Sequence, residues 1–290
     1  MCSTYSLQPE VTDRGLTAVP VSRRRAHSPI EELKQWFASY AAGYNHGDAA
    51  RRYHIELKRR HSLRVCAQMK HLALQMGLTA ADVETAQILG LLHDVGRFEQ
   101  YDRFQTFVDS RSLDHAAVGA QTIQHQGLLS ALEPARRDQI IGAVRHHNKA
   151  ALPGNLKGKH LFWARLIRDG DKLDIWRVLL CKYCSPARRK KNPTDPFRNF
   201  PVEAGLSDKV YDAVMAGEIV DMRDVNCLND AKLLQMAWVF DLNFSPAFHM
   251  VRRRQYLEKI YGTMPATPGI LRAYRHIRNF LEKRTTGTRT

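Results

Sequence analysis

The chain has no apolar run near the roughly 20 residues that a membrane-spanning helix needs, so a spanning helix is excluded. Cysteine is sparse: Cys2, Cys66, Cys181, Cys184 and Cys227 are odd in number and irregular in spacing, which argues against a disulfide framework. Cys181 and Cys184 make one C-x-x-C with no second pair, whereas a structural zinc site needs four ligands. They read as two half-buried thiols near a helix end. Alternating strand patterns are scarce and no internal repeat is evident. Met1 to Ser28 lacks the apolar core of a signal peptide and reads as a polar tail closing on Arg23, Arg24 and Arg25. A cytoplasmic protein is expected.

Acidic residues are also in short supply. Against 44 Lys and Arg stand 29 Asp and Glu, a formal net charge of +15 over 290 residues. The excess is local: Arg252 to Thr290 holds ten bases and two acids, and Lys182 to Lys191 holds five bases and no acid. Such a balance favours anionic partners: nucleotides, phosphorylated metabolites or nucleic acid. No aromatic-rich strand pattern of the kind that binds single strands accompanies the basic runs.

What is present is helical periodicity from Ile30 onward. Glu31 to Tyr44 is a first helix. Tyr53 to Met76 is a long one, with Leu57, His61, Val65, Met69, Leu72 and Met76 on one face. Thr79 caps a third helix whose run Ile88 to Leu92 is apolar all round and therefore central. Val95 to Leu113 reads as a loop or short irregular stretch, and Gly96 to Leu113, rich in aromatics (Phe98, Tyr101, Phe104, Phe107), is placed to act as a lid. Asp114 caps His115 to His125, Arg136 to His147 follows Pro134, and Lys159 to Trp176 runs on toward Tyr183. Pro186, Pro193, Pro196 and Pro201 mark a linker. Beyond it, Val202 to Met215, Asn229 to Phe240, Pro246 to Tyr261 and Thr267 to Glu282 are helical in pattern. The expected organisation is all-α: a polar tail (1–28), a helical catalytic bundle (29–184), a Pro-rich basic linker (185–201) and a smaller C-terminal helical extension (202–284).

Five polar features interrupt the apolar faces. His61 sits mid-helix among Leu57, Val65 and Met69. His93-Asp94 closes the central helix. His115 follows a capping Asp114, His146-His147 closes a fourth helix, and Asp171 lies one turn after Ile167. A buried imidazole or carboxylate is costly unless it is hydrogen-bonded, paired or bound to metal. Several helices aiming such groups at one interior point to a divalent metal, and imidazole with carboxylate suits zinc, iron, manganese and similar ions.

The order His, His-Asp, distant Asp resembles the HD superfamily of metal-dependent phosphohydrolases. The neighbouring words match as well: Leu91-Leu92-His93-Asp94-Val95-Gly96-Arg97, Asp114-His115-Ala116-Ala117-Val118-Gly119 and Asp171-Lys172-Leu173-Asp174. The resemblance covers about residues 50–180. It implies an HD-type helical bundle in which His61, His93, Asp94 and Asp171 bind one divalent metal (Mn, Mg, Fe, Zn, Co or Ni). It further implies that Asp94 bridges to a second metal, with His115 and one of His146 and His147 as added ligands, His147 being slightly favoured by its face. The activity implied is phosphoester or phosphoanhydride hydrolysis, on a nucleotide or related metabolite. Relatives with the extra histidines that hold two irons and oxygenate their substrates give one alternative, and a non-catalytic nucleic-acid or nucleotide binder gives another. Arg97 stands where many relatives carry Lys. Arg97 and Lys149, with Arg145 and Lys172, are the candidate cations for the phosphoryl group, and Arg64 lies one residue off the His61 face. Asp169 and Asp174 are second choices for the distal ligand, Asp174 fitting better as the partner that orients a ligand.

Overall fold

Every regular element among the described residues of the computed structural model (28–183, 200–201 and 205–286) is helical. The helices are α1 (Pro29–Tyr44), α2 (Ala49–Gln75), α3 (Ala80–Leu92), α4 (Gly96–Phe104), α5 (His115–His125), α6 (Pro134–His146), α7 (Gly158–Tyr183), α8 (Asp208–Ala216), α9 (Leu228–Ala237), α10 (Ser245–Arg254), α11 (Tyr256–Tyr261) and α12 (Pro268–Thr286). None of them is long and apolar enough to cross a membrane.

Local chemistry sets several boundaries. Asp48 accepts from the Arg51 amide at 2.7 Å, Thr79 from Asp82 at 3.2 Å, and Asp114 from Ala116 and Ala117, so three helices start where a side chain takes an amide that has no partner within the helix. Pro29 and Pro134 open α1 and α6, where a missing N–H costs nothing.

The central helix is α3, whose Ile88, Leu89, Leu91 and Leu92 are fully buried. It lies hard against α2 because Gly90 has no side chain: a Cβ there would stand 2.9 Å from the Cys66 Cα and the Val65 carbonyl oxygen. Gly96 serves the same end between α4 and α5, where a Cβ would meet the His115 carbonyl oxygen at 2.2 Å. These two close approaches bring α3 against α2 and the start of α4 against the start of α5.

The C-terminal helices join the bundle through α7, and one hydrophobic core runs through both. Trp176 donates to the Gln235 carbonyl at 2.8 Å, and Tyr256 to that of Leu173 at 3.1 Å. Asp169 accepts from the amides of Asn243 and Phe244. Burial pushes its carboxyl up to about 6, although these hydrogen bonds and Lys172 pull the other way. Arg272, Arg275, Arg278 and Lys283 lie on the exposed side of α12, away from buried Ile270, Ile277 and Leu281.

Three expectations are corrected. Val95 to Leu113 is not all loop: Gly96–Phe104 is α4, ended by Gln105 in the left-handed region, and Asp109–Arg111 is a 3-10 turn. In that stretch Phe98 and Tyr101 are core, Phe104 is exposed and Phe107 half-buried. Pro246 to Tyr261 is not one helix, because Gln255 (φ 54°) breaks it into α10 and α11 after the basic turn Arg252–Arg254. Cys181 is exposed rather than half-buried. Cys184, the N-terminal tail and most of the linker lie outside the described residues.

Candidate metal centre

Helices α2, α3, α5, α6 and α7 bring six side chains to one buried centre. His61 comes from the inward stripe of α2. His93 and His147 stand at the C-caps of α3 and α6, and Asp94 follows His93 directly. His115 opens α5, and Asp171 lies mid-way along α7.

The donor atoms fall into two groups that share Asp94. Around one oxygen of Asp94, His61 Nε2 lies 3.5 Å and His93 Nε2 3.8 Å away, while Asp171 Oδ1 is 3.0 Å from His61 and 3.6 Å from His93. Around the other oxygen, His115 Nε2 lies at 3.3 Å and His147 Nε2 at 3.7 Å. Metal–nitrogen and metal–oxygen bonds of about 2.0–2.2 Å place neighbouring donors about 3.0–3.5 Å apart, so both groups match a cation's donor shell to within a few tenths of an ångström.

The imidazole protons are turned outward. His61 Nδ1 donates to Asp174 at 2.7 Å, which the guanidinium of Arg64 grips with two bonds of 2.6 and 2.8 Å. His93 Nδ1 donates to the Gly90 carbonyl at 2.9 Å, and His147 Nδ1 to that of Val144 at 2.7 Å. His115 Nδ1 donates to Asp109 at 2.7 Å, and Arg97, Gln100 and Asn148 hold that carboxylate in turn. Each Nε2 therefore presents a lone pair to the centre. The 3.3 Å approach of His61 to His93 and the 3.1 Å approach of His115 to His147 are acceptor facing acceptor. Asp171 Oδ1 is buried with no hydrogen-bond donor. Crowded lone pairs and an orphaned carboxylate oxygen are what a bound cation relieves, and nitrogen with hard oxygen suits a first-row divalent ion.

Electrostatics agree with this. Burial opposes charge on Asp94, yet the Lys58 ammonium beside it leads the groups that hold the carboxyl well below the ordinary range. Burial disfavours imidazolium at His61, but Asp171 and Asp174 raise it on balance, so this end of the centre draws positive charge. Burial and Arg97 lower His115, which suits a neutral ligand.

A family model of the HD domain matches residues 59–175, from within α2 to within α7. This segment is an HD domain. HD domains are mostly metal-dependent hydrolases, and the His/Asp cluster described above is a candidate metal site. No curated protein and no solved structure matches the chain.

Within the HD domain, His146 is not among the converging groups: it sits one residue off the inward face of α6, half-buried. Asp169 is engaged with Asn243 and Phe244, and Asp174 with His61 and Arg64, so neither joins the donor set. The expected phosphoryl cations mostly face elsewhere. Arg145 is exposed and touches Gln124. Lys172 joins Arg168 on Asp241, tying α7 to the turn Trp238–Asp241. Lys149 lies at the rim, 41% exposed and paired with Asp114. Arg97 binds Gln100, the Phe107 carbonyl and Asp109 through Nη1, and its Nε lies 3.4 Å from Asp94.

Two residues at the centre escaped the sequence reading. Lys58 places Nζ 2.7 Å from Asp94 Oδ2. Its spacing with His54, His61 and Val65 is helical, but a lysine on such a stripe ordinarily carries its charge out to water. Asp109, in the 3-10 turn before α5, offered no signal.

Proposed function

We propose that the HD domain hydrolyses a phosphoester or phosphoanhydride of a nucleotide or another small phosphorylated metabolite. The observation that carries this reading is the sharing of Asp94 between two groups of inward lone pairs, one of them reached by solvent beside Asp171 and Lys58, whose side chains are each 19% exposed. Divalent cations held by His61, His93, Asp94 and Asp171, and by Asp94, His115 and His147, would supply a water of pKa about 7 and positive charge toward phosphoryl oxygens. The chain's own residues prepare that chemistry. Asp174, Asp109 and the carbonyls of Gly90 and Val144 keep the imidazole protons on the outer nitrogens. Arg64 locks Asp174, and through it the ring of His61. His61, His93, Asp94, His115 and His147 are buried, and Asp171 and Lys58 stand at the mouth, so the donors act in a medium of lower polarity than bulk water.

Metal analysis of the purified protein, then phosphate release from a panel of phosphorylated compounds with Mn, Mg, Fe, Zn, Co and Ni, tests the reading. His93→Ala and Asp94→Ala are the controls. The fully loaded protein should release phosphate and both variants should not. Four imidazoles and two carboxylates in two groups also suit a pair of irons. Oxygen consumption by iron-loaded protein, with no phosphate release from any compound, would replace hydrolysis with oxygenation.

A further inference from the structure

We propose that Lys58 is the cation through which the site binds the phosphoryl group, a role that rests on the phosphoester reading above. Lys58 lies on α2 one turn before His61, on the stripe formed by His54, His61 and Val65. Its Nζ stands 2.7 Å from Asp94 Oδ2, the oxygen nearest His61 and His93. The side chain is 19% exposed where that of Asp94 is 4% exposed, so the ammonium forms the solvent-side wall of the centre. Nζ also sits 5.3 Å from the centroid of the Phe107 ring, which flanks it with an apolar surface.

The geometry singles it out among the bases. Arg97 Nη1 is engaged by three acceptors and its Nε, 3.4 Å from Asp94, is buried away from solvent, Lys149 sits on Asp114 at the rim, and Arg145 and Lys172 face away. An ammonium has three donors. One is directed to Asp94, and two remain for the oxygens of a ligand entering from the mouth.

This position makes opposite demands on two ligands. A positive charge beside Asp94 repels a cation held by the same carboxylate, while it attracts phosphate. A residue that merely supports the fold would shift both affinities in one direction.

The test is calorimetric titration of native, K58M and K58R proteins, first with Mn2+, then with inorganic phosphate on the Mn-loaded forms. K58M should bind Mn2+ about threefold to tenfold more tightly and phosphate about tenfold more weakly. K58R should stay near native for Mn2+ and recover most of the phosphate affinity. Weakening of both ligands in K58M, or unchanged phosphate affinity, overturns the proposal and leaves Lys58 as a counterion to Asp94. If circular dichroism shows K58M unfolded, K58Q, which keeps a donor for Asp94 without the charge, faces the same two criteria. Failure of the native Mn-loaded protein to bind phosphate at all overturns the phosphoester reading, and this role with it. That outcome is distinct from a K58M protein that binds phosphate normally.

Discussion

Asp94 in the HD domain and Asp230 in the C-terminal extension are both buried carboxylates at a helix end, and their surroundings are opposites. Asp230 accepts from the Ser207 amide at 2.9 Å and hydroxyl at 2.6 Å, and from the amides of Asn226 and Cys227 at 3.0 and 3.2 Å. It ties the start of α8 to the start of α9 with donors filling both oxygens. Asp94 has Lys58 on one oxygen, the Arg97 Nε 3.4 Å from the other, and four imidazole nitrogens facing it with their lone pairs inward. The same burial is thus satisfied in the extension and left wanting in the HD domain. A fold gains nothing from acceptors turned on one another, so the second arrangement marks a site shaped for something that arrives later.

The largest expected effect is at that site. Asp94→Ala should lower metal-dependent turnover by about a thousandfold or more, since one carboxylate serves both donor groups. It should also abolish the rise in Tm that metal gives the native protein. Steady-state kinetics and thermal melts with and without Mn2+ check both. A variant with full metal-dependent stabilisation would mean that Asp94 is not shared.

Next in size is the opposite region. Asp230→Ala removes the shared acceptor of four donors, of which the Cys227 amide is buried and those of Ser207 and Asn226 are partly open to water, and should destabilise the protein by about 2 kcal/mol, read from urea denaturation. Asp171→Asn, in metal-free protein, should change stability by less than about 1 kcal/mol, because the orphaned oxygen loses no donor. Equal losses in the two variants would erase the contrast between the regions.

The contrast was only partly legible in the amino-acid order. The inward turn of His61 follows from its place among Leu57, Val65 and Met69, and that of His93 from the all-apolar run before it, because helical spacing maps directly onto a face. Lys58 shares the stripe, but a lysine ordinarily carries its charge out to water along a flexible stem, so periodicity alone does not mark it. Asp109 reaches His115 through an irregular turn, where no period applies. Helix α4 was hidden for a related reason: its start depends on the contact that Gly96 permits with α5. The break at Gln255 depends on one backbone conformation that its side chain does not signal. Asp230 was legible as a residue near a helix start, but not as the meeting point of Ser207, Asn226 and Cys227, which are brought together only by tertiary packing.

A smaller effect separates orientation from ligation within the site. Asp174 touches His61 from outside the donor set, and Asp174→Asn should weaken metal binding about tenfold to a hundredfold without abolishing it. The same carboxyl gives a pH signature. Burial works against its charge, but His61 and Arg64 outweigh it and bring it down to about 2. Because the folded value lies below the unfolded one of about 4, the contribution is complete above pH 4 and disappears as the pH falls through 2. It is worth about 2 kcal/mol. Urea midpoints of the metal-free protein between pH 5 and 2 should therefore fall less steeply in Asp174→Asn than in the native chain.

The smallest effect belongs to the rim, where burial no longer applies. Lys149 and Asp114 form an ion pair with side chains 41% and 36% exposed, and solvent screens such pairs to less than about 1 kcal/mol. Lys149→Ala should leave stability within about 0.5 kcal/mol of native and turnover within about threefold, with any residual difference vanishing in salt as the charges are screened. A loss of turnover beyond tenfold that persists in salt would place Lys149 on the substrate. The mouth would then carry two phosphoryl cations, from α2 and from the segment after α6, in place of Lys58 alone.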